Sequence, residues 1–207
     1  SVITWSLGNE SGYGAAHDAM AAAIRRIDPS RPIQYEGPFM HDLGAEAPVS
    51  DVVCPMYTSI DDIVAWSRNR RDVRRPLILC EFSHAMGNSN GSLADYAAAF
   101  ESEDGLQGGF LWEWLEHGVR RPDGSIGYGG DFGEEERIGR HDGNFCLDGL
   151  VSADRVAHPG LAELAALAQP VSATLDERGR LVIHNRHWFR SLAAVRCRWE
   201  LLTHGKV

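Results

Sequence analysis

Two carboxylates close short apolar runs in this chain. The run Pro76-Leu-Ile-Leu-Cys80 stops at Glu81, and the polar, glycine-bearing segment Phe82-Ser-His-Ala-Met-Gly-Asn88 follows. The opening run, Ser1-Val-Ile-Thr-Trp-Ser-Leu-Gly-Asn9, stops at Glu10 and gives way to the Gly-rich turn Ser11-Gly-Tyr-Gly14. A carboxylate at the end of an apolar run is costly unless it is paired, hydrogen-bonded or used. One such Glu could cap a loop or pair with an Arg. Two of the same design, each followed by a helical pattern, can stand on one rim of a sheet or barrel. A pair of carboxylates there is the minimum equipment for cleaving a glycosidic bond: one serves as acid/base and the other as nucleophile or second base.

The elements that must position them are short strands and intervening helices. Leu77, Ile78 and Leu79 show no alternation, which predicts a strand buried on both faces, as in a parallel sheet. Glu81 then falls at the carboxyl end, where barrels and open α/β sheets keep their reacting groups. Further strands are predicted over Ile33-Gln-Tyr-Glu36, Asp51 to Tyr57 and Leu106 to Trp114, and helices over Ala15 to Ile27, Ile60 to Ser67 and Ser92 to Glu101. Strands alternating with helices indicate a parallel α/β arrangement. The basic run Arg68 to Arg75 reads as a solvated connection. Gly118 to Gly149 is too long for a structureless loop and reads as functional. His158 to Ala168 supplies a last helix. From Val171 two strands flank a polar turn, and Ala193 to Leu202 alternates like a third, so a linker near Gln169-Pro170 is expected to open an all-β domain.

With 207 residues, 43% hydrophobic and 24% charged, the chain can bury a real core. A formal charge of −9 argues against nucleic acid and anionic membranes as partners. Cys54, Cys80, Cys146 and Cys197 are scattered and read as buried thiols of a reducing, cytoplasmic compartment rather than a disulfide framework. Neither a signal peptide nor a membrane-length apolar run is visible. Both ends fall within strand patterns, so the chain reads as an excised piece of a longer protein.

Four motifs then stand in order: Trp5-Ser-Leu-Gly-Asn-Glu-Ser11, Cys54-Pro-Met-Tyr57, Ile78-Leu-Cys-Glu-Phe-Ser-His-Ala-Met-Gly-Asn-Ser89 and Gln107-Gly-Gly-Phe-Leu-Trp-Glu-Trp114. Together they resemble glycoside hydrolase family 2, and within it the large bacterial β-galactosidases of the lactose-operon kind. The resemblance implies a partial TIM (β/α)8 barrel from the fourth strand onward over residues 1–169, followed by the start of a β-sandwich domain over 170–207. It implies a retaining β-galactosidase acting on terminal β-D-galactosyl bonds by double displacement, in a homo-oligomeric parent. Glu10 matches the acid/base and Glu81 the nucleophile. Asn9 matches a residue bonding the sugar near its 2-hydroxyl, Tyr57 the tyrosine beside the nucleophile and Met56 its neighbour. His84 matches a galactosyl-binding histidine, and Trp112 the aromatic floor of the sugar site. Glu10 also matches a magnesium ligand whose Glu and His partners lie before Ser1. Phe145 matches a sodium ligand through its carbonyl, and Asp148 stands where the family usually has a sodium-binding Asn.

Other readings stay open on the residues alone. Trp5, Trp112 and Trp114 could be core aromatics, and His84 and Tyr57 could simply satisfy their polar atoms locally. Gly87-Asn-Ser-Asn-Gly91 matches the nucleophile elbow of esterases, with Ser89 as nucleophile. A fragment could also bind galactosides without turnover, or be only a foldable piece of a larger enzyme.

Overall fold

The computed structural model describes residues 2–70, 74–134, 141–200, 202 and 204. It separates into two compact units, Ser1–Leu167 and Ala168–Val207. In the first, strand β1 (Trp5–Ser6) pairs in parallel with β2 (Ile33–Gln34), and the helix α1 (Ala15–Ile27) makes the crossover. Asp18 in the first turn of α1 and Arg25 and Arg26 in its last complement the helix dipole. Asp28 closes it and accepts hydrogen bonds from Trp5, Ser30 and Arg31, tying the helix end to β1. These bonds, the Ser30 hydroxyl's first, hold the Asp28 carboxyl well below the usual carboxylate range.

Residues 51–56 continue the sheet. Asp51 N–H donates to the Ile33 carbonyl at 2.8 Å, and Val53 and Met56 form parallel bridges to Leu77 and Glu81 of β3 (Leu77–Phe82). Helix α2 (Ile60–Asn69) follows, its N-cap Ser59 accepting from the Asp62 N–H. After β3 come α3 (Leu93–Ser102) and β4 (Leu106–Leu111), which lies parallel to β3. The lateral order is therefore β1, β2, residues 51–56, β3, β4, with β1 parallel to β2, and residues 51–56 and β4 each parallel to β3. No closed barrel forms among the described residues. Ile33, Ile63, Leu77 and Leu79 are fully buried between this sheet and its helices, and Val53, Leu93 and Leu106 pack with them. Burying a side chain of this size contributes about 1.5–3 kcal/mol.

The long excursion carries a small antiparallel pair, β5 (Val119–Arg120) and β6 (Ile126–Gly127), before α4 (Pro159–Leu167). In the second unit β7 (Val171–Leu175) and β8 (Leu181–Asn185) form an antiparallel hairpin.

Three expectations need correction. Ala193 to Leu202 alternates in sequence, yet its described residues form no strand, because no neighbouring strand offers them hydrogen bonds. Cys54 is buried, but Cys80 and Cys146 are only partly so and Cys197 is exposed; all four are free thiols. The basic run is not simply solvated: Arg68 pairs with Glu103, and Arg70 stacks over Trp66 at 5.8 Å. Arg71, Asp72 and Val73 of that run lie outside the described residues.

Candidate active site

Three carboxyl ends, those of β1, residues 51–56 and β3, turn through non-glycine residues in the left-handed region. These are Glu10 (φ 47°), Tyr57 (φ 49°) and Ser83 (φ 54°). Each such residue costs free energy and persists only where its surroundings over-determine it, as at functional sites. Three of the four motifs singled out in the sequence contain one of them.

Glu81, the fifth residue of β3, is 9% exposed. Its Oε2 accepts the Tyr57 hydroxyl at 2.8 Å, while its main-chain carbonyl accepts the Tyr57 N–H at 2.9 Å. Burial raises the Glu81 pKa, and the Tyr57 bond opposes it. The charges of Glu10 and Glu36 raise it further and His84 lowers it, so all three side chains lie within electrostatic reach. Tyr57 as a whole is 43% exposed, but its hydroxyl end is desolvated against Glu81. That burial, then the Glu81 bond, pushes the phenol pKa far up, which keeps Tyr57 a donor.

A second set of contacts joins His84, Phe145, Trp112 and Asp148. The His84 ring lies 6.1 Å from that of Tyr57 and 5.3 Å from that of Phe145. His84 Nε2 sits 3.3 Å from Asp148 Oδ2, which also accepts the Trp112 indole N–H at 3.0 Å. Asp148 is 3% exposed, and its Oδ1 is buried without a hydrogen-bond partner. Beside it the Glu113 pKa is raised, by burial first and then by the neighbouring Asp148 carboxylate. Trp112 is half-buried and braced at both main-chain groups: its N–H donates to the Phe82 carbonyl, and its carbonyl accepts the Ala85 N–H.

Met56 is buried and bridged to Glu81, and Asn9 is exposed on the turn that carries Glu10. The described residues thus bring Glu81, Tyr57, His84, Trp112, Phe145 and Asp148 into one connected group. Glu10 joins it through its charge. Trp114 is 62% exposed, so it is not the core aromatic that its neighbours allowed. Ser89 is no elbow nucleophile. Its hydroxyl bonds to the main-chain carbonyls of His84 and Met86, and ten residues separate β3 from α3, where an elbow needs a sharp turn.

Sequence reading missed Tyr35, Glu36 and Glu113. Glu36 is 1% exposed, and its Oε1 accepts the Glu10 N–H at 2.6 Å. The signal was present: Ile33-Gln-Tyr35 is a third short run closed by a Glu. A cavity of about 1010 Å³ bordered by Leu43, Val53, Trp66 and Arg70 lies at the opposite, amino ends of the strands, away from these carboxylates.

A family model described as glycosyl hydrolases family 2, TIM barrel domain, matches residues 1–173. The chain belongs to glycosyl hydrolase family 2. Among its family 2 relatives, the β-galactosidase of Aeromonas hydrophila is 44% identical across the whole of this chain and 21% of the relative. That of Actinobacillus pleuropneumoniae is 46% identical over 93% of this chain and 19% of the relative. The chain therefore spans about a fifth of the length of the curated relatives it matches. Ruminococcus gnavus β-glucuronidase in complex with uronic isofagomine superposes with a TM-score of 0.54 at 19% identity, covering 80% of this chain and 31% of that one. That likeness concerns the fold alone, and it agrees with the family 2 barrel assignment.

Proposed function

We propose that this chain carries the catalytic centre of a retaining β-galactosidase and acts as part of a protein of its relatives' length. The observation that carries this reading is the buried Glu81, held by Tyr57 at 2.8 Å and within reach of the charge of Glu10. The names of the relatives supply the galactosyl specificity. In this reading the five segments are barrel strands four to eight, residues 1–169 end the barrel, and 170–207 begin a β-sandwich.

Ionised Glu81 attacks the anomeric carbon. The glycosidic C–O bond breaks, and its electron pair leaves on the departing oxygen, which takes the Glu10 proton. A galactosyl ester of Glu81 remains. Water then gives a proton to Glu10 as its oxygen attacks the anomeric carbon, releasing galactose and the Glu81 carboxylate. Retention needs the two carboxyl groups about 5–5.5 Å apart. Tyr57 orients Glu81 and stabilises its anion. Trp112 offers the sugar a flat apolar face, His84 and Asn9 offer it hydrogen bonds, and Met56 packs behind the nucleophile.

Asp148 and the Phe145 carbonyl fit a sodium ion, since the buried, unpartnered Oδ1 of Asp148 is an oxygen that needs positive charge. Bound there, sodium neutralises that carboxylate beside the sugar site. Magnesium fits less completely. Glu10 supplies one exposed carboxylate, and the described residues hold no group of three His, Cys, Asp or Glu side chains poised for a metal, so no step above runs through it. Among the described residues no helix is long and apolar enough to cross a membrane. The free thiols favour a cytoplasmic home.

The test uses the full-length protein carrying this chain. Glu81→Gln should abolish turnover of every galactoside. Glu10→Gln should spare dinitrophenyl galactoside, whose leaving group needs no proton, and lose alkyl galactosides. Equal losses on both substrates in both variants would refute the assignment of roles.

A further inference from the structure

We propose that Glu36 and Tyr35 are positioning residues that clamp the acid/base loop by its main chain. The inference rests on the reading of Glu10 as acid/base. Both residues follow β2, the neighbour of the strand that leads into Glu10. Glu36 is 1% exposed, and a carboxyl group so buried needs hydrogen-bonded partners. It accepts the Glu10 N–H at 2.6 Å, at a residue whose φ of 47° requires outside support.

Two further contacts secure the same loop. Tyr35, fully buried, donates its hydroxyl hydrogen to the Gly12 carbonyl, leaving its oxygen to accept the Ser11 hydroxyl at 2.8 Å. The His17 ring of α1 stacks on Tyr35 at 4.4 Å and braces the phenol. Gly37 lets the loop come this close, for a β-carbon there would stand 2.5 Å from the Gly12 carbonyl oxygen and 2.6 Å from the Tyr35 ring. Glu10, Ser11 and Gly12 are thus each held by Tyr35 or Glu36.

A misplacement of about 1 Å can cost ~100-fold in rate. In the full-length protein, Glu36→Leu removes the acceptor, whereas Glu36→Gln keeps an oxygen for the Glu10 amide. The expected loss for Glu36→Leu is about 100-fold in kcat/KM on methyl β-galactoside. Its kcat/KM on dinitrophenyl galactoside should be retained, and azide, a nucleophile that needs no base, should restore kcat on that substrate. Glu36→Gln should rescue most of the loss. A uniform loss on both substrates without azide rescue would reduce Glu36 to a structural residue and overturn the proposal. Should Glu36→Leu fail to fold, Tyr35→Phe carries the same test, and a uniform loss there overturns it too. Glu10→Gln measured alongside separates the two ideas. If it shows no leaving-group dependence, the acid/base reading falls and this inference with it; if it does and the clamp variants do not, the clamp alone fails.

Discussion

Tyr57 donates its hydroxyl to Glu81 Oε2 across 2.8 Å while its main-chain N–H bonds the carbonyl of the same residue. Two bonds to one partner fix the phenol relative to the strand end. A donor on a carboxylate favours the anion, so this contact opposes the burial that raises the Glu81 pKa. Tyr57→Phe should raise that pKa further, since it removes a hydrogen bond that favours the anion. Less Glu81 is then ionised at any mildly acidic pH, and the acid limb of the kcat/KM profile should move to higher pH. A limb that stays in place, or moves down, would show that Tyr57 does not tune the nucleophile.

Asp148 places a full charge where the family resemblance expects an amide. Its Oδ2 is shared by His84 and Trp112, and its Oδ1 has no partner. Asp148→Asn should weaken sodium binding by roughly tenfold, since a hydrogen bond or ligand contact to a charged group exceeds its neutral counterpart by about that factor. Titrating activity with sodium chloride at constant ionic strength checks this. Identical sodium curves for both proteins would remove Asp148 from the ion site.

The isolated 207-residue chain should show little turnover. β1 and β4 each have one strand neighbour among the described residues, and apolar side chains stand exposed near both edges: Ile3 is 77% exposed and Phe110 64%. Unpaired edges of this kind template association with other chains. Sedimentation should find oligomers, and dinitrophenyl galactoside should be hydrolysed far below the rate of the full-length protein. A monomer with full-length activity would contradict this expectation.

Local chemistry made much of this legible in the sequence. Helix α1 spans Ala15–Ile27 as predicted, because a good helix-forming run meets Asp28-Pro29 and can go no further. Glu81 and its strand were legible because an unbroken apolar run stops at a charge. Glu36 was not, although it closes a run of the same kind, because its role depends on which loop lies beside it. That neighbour is 26 residues away in sequence. The pairing of Asp148 with Trp112, across 36 residues, was hidden for the same reason. In residues 193–200 alternation was present, but a strand needs a partner as well as a pattern.

The Glu10 amide is fastened to Glu36, yet its carboxyl group is exposed. A side chain secured at its root and loose at its tip behaves as a rotor on a fixed axle. In the acid/base role proposed for Glu10, the tip meets two different oxygens in turn, the leaving group's in one half-reaction and an incoming water's in the next. A carboxyl locked by its own hydrogen bonds would suit one visitor and obstruct the other. Fastening the axle alone lets a single group serve both directions of proton traffic, with no rearrangement of the sheet between them.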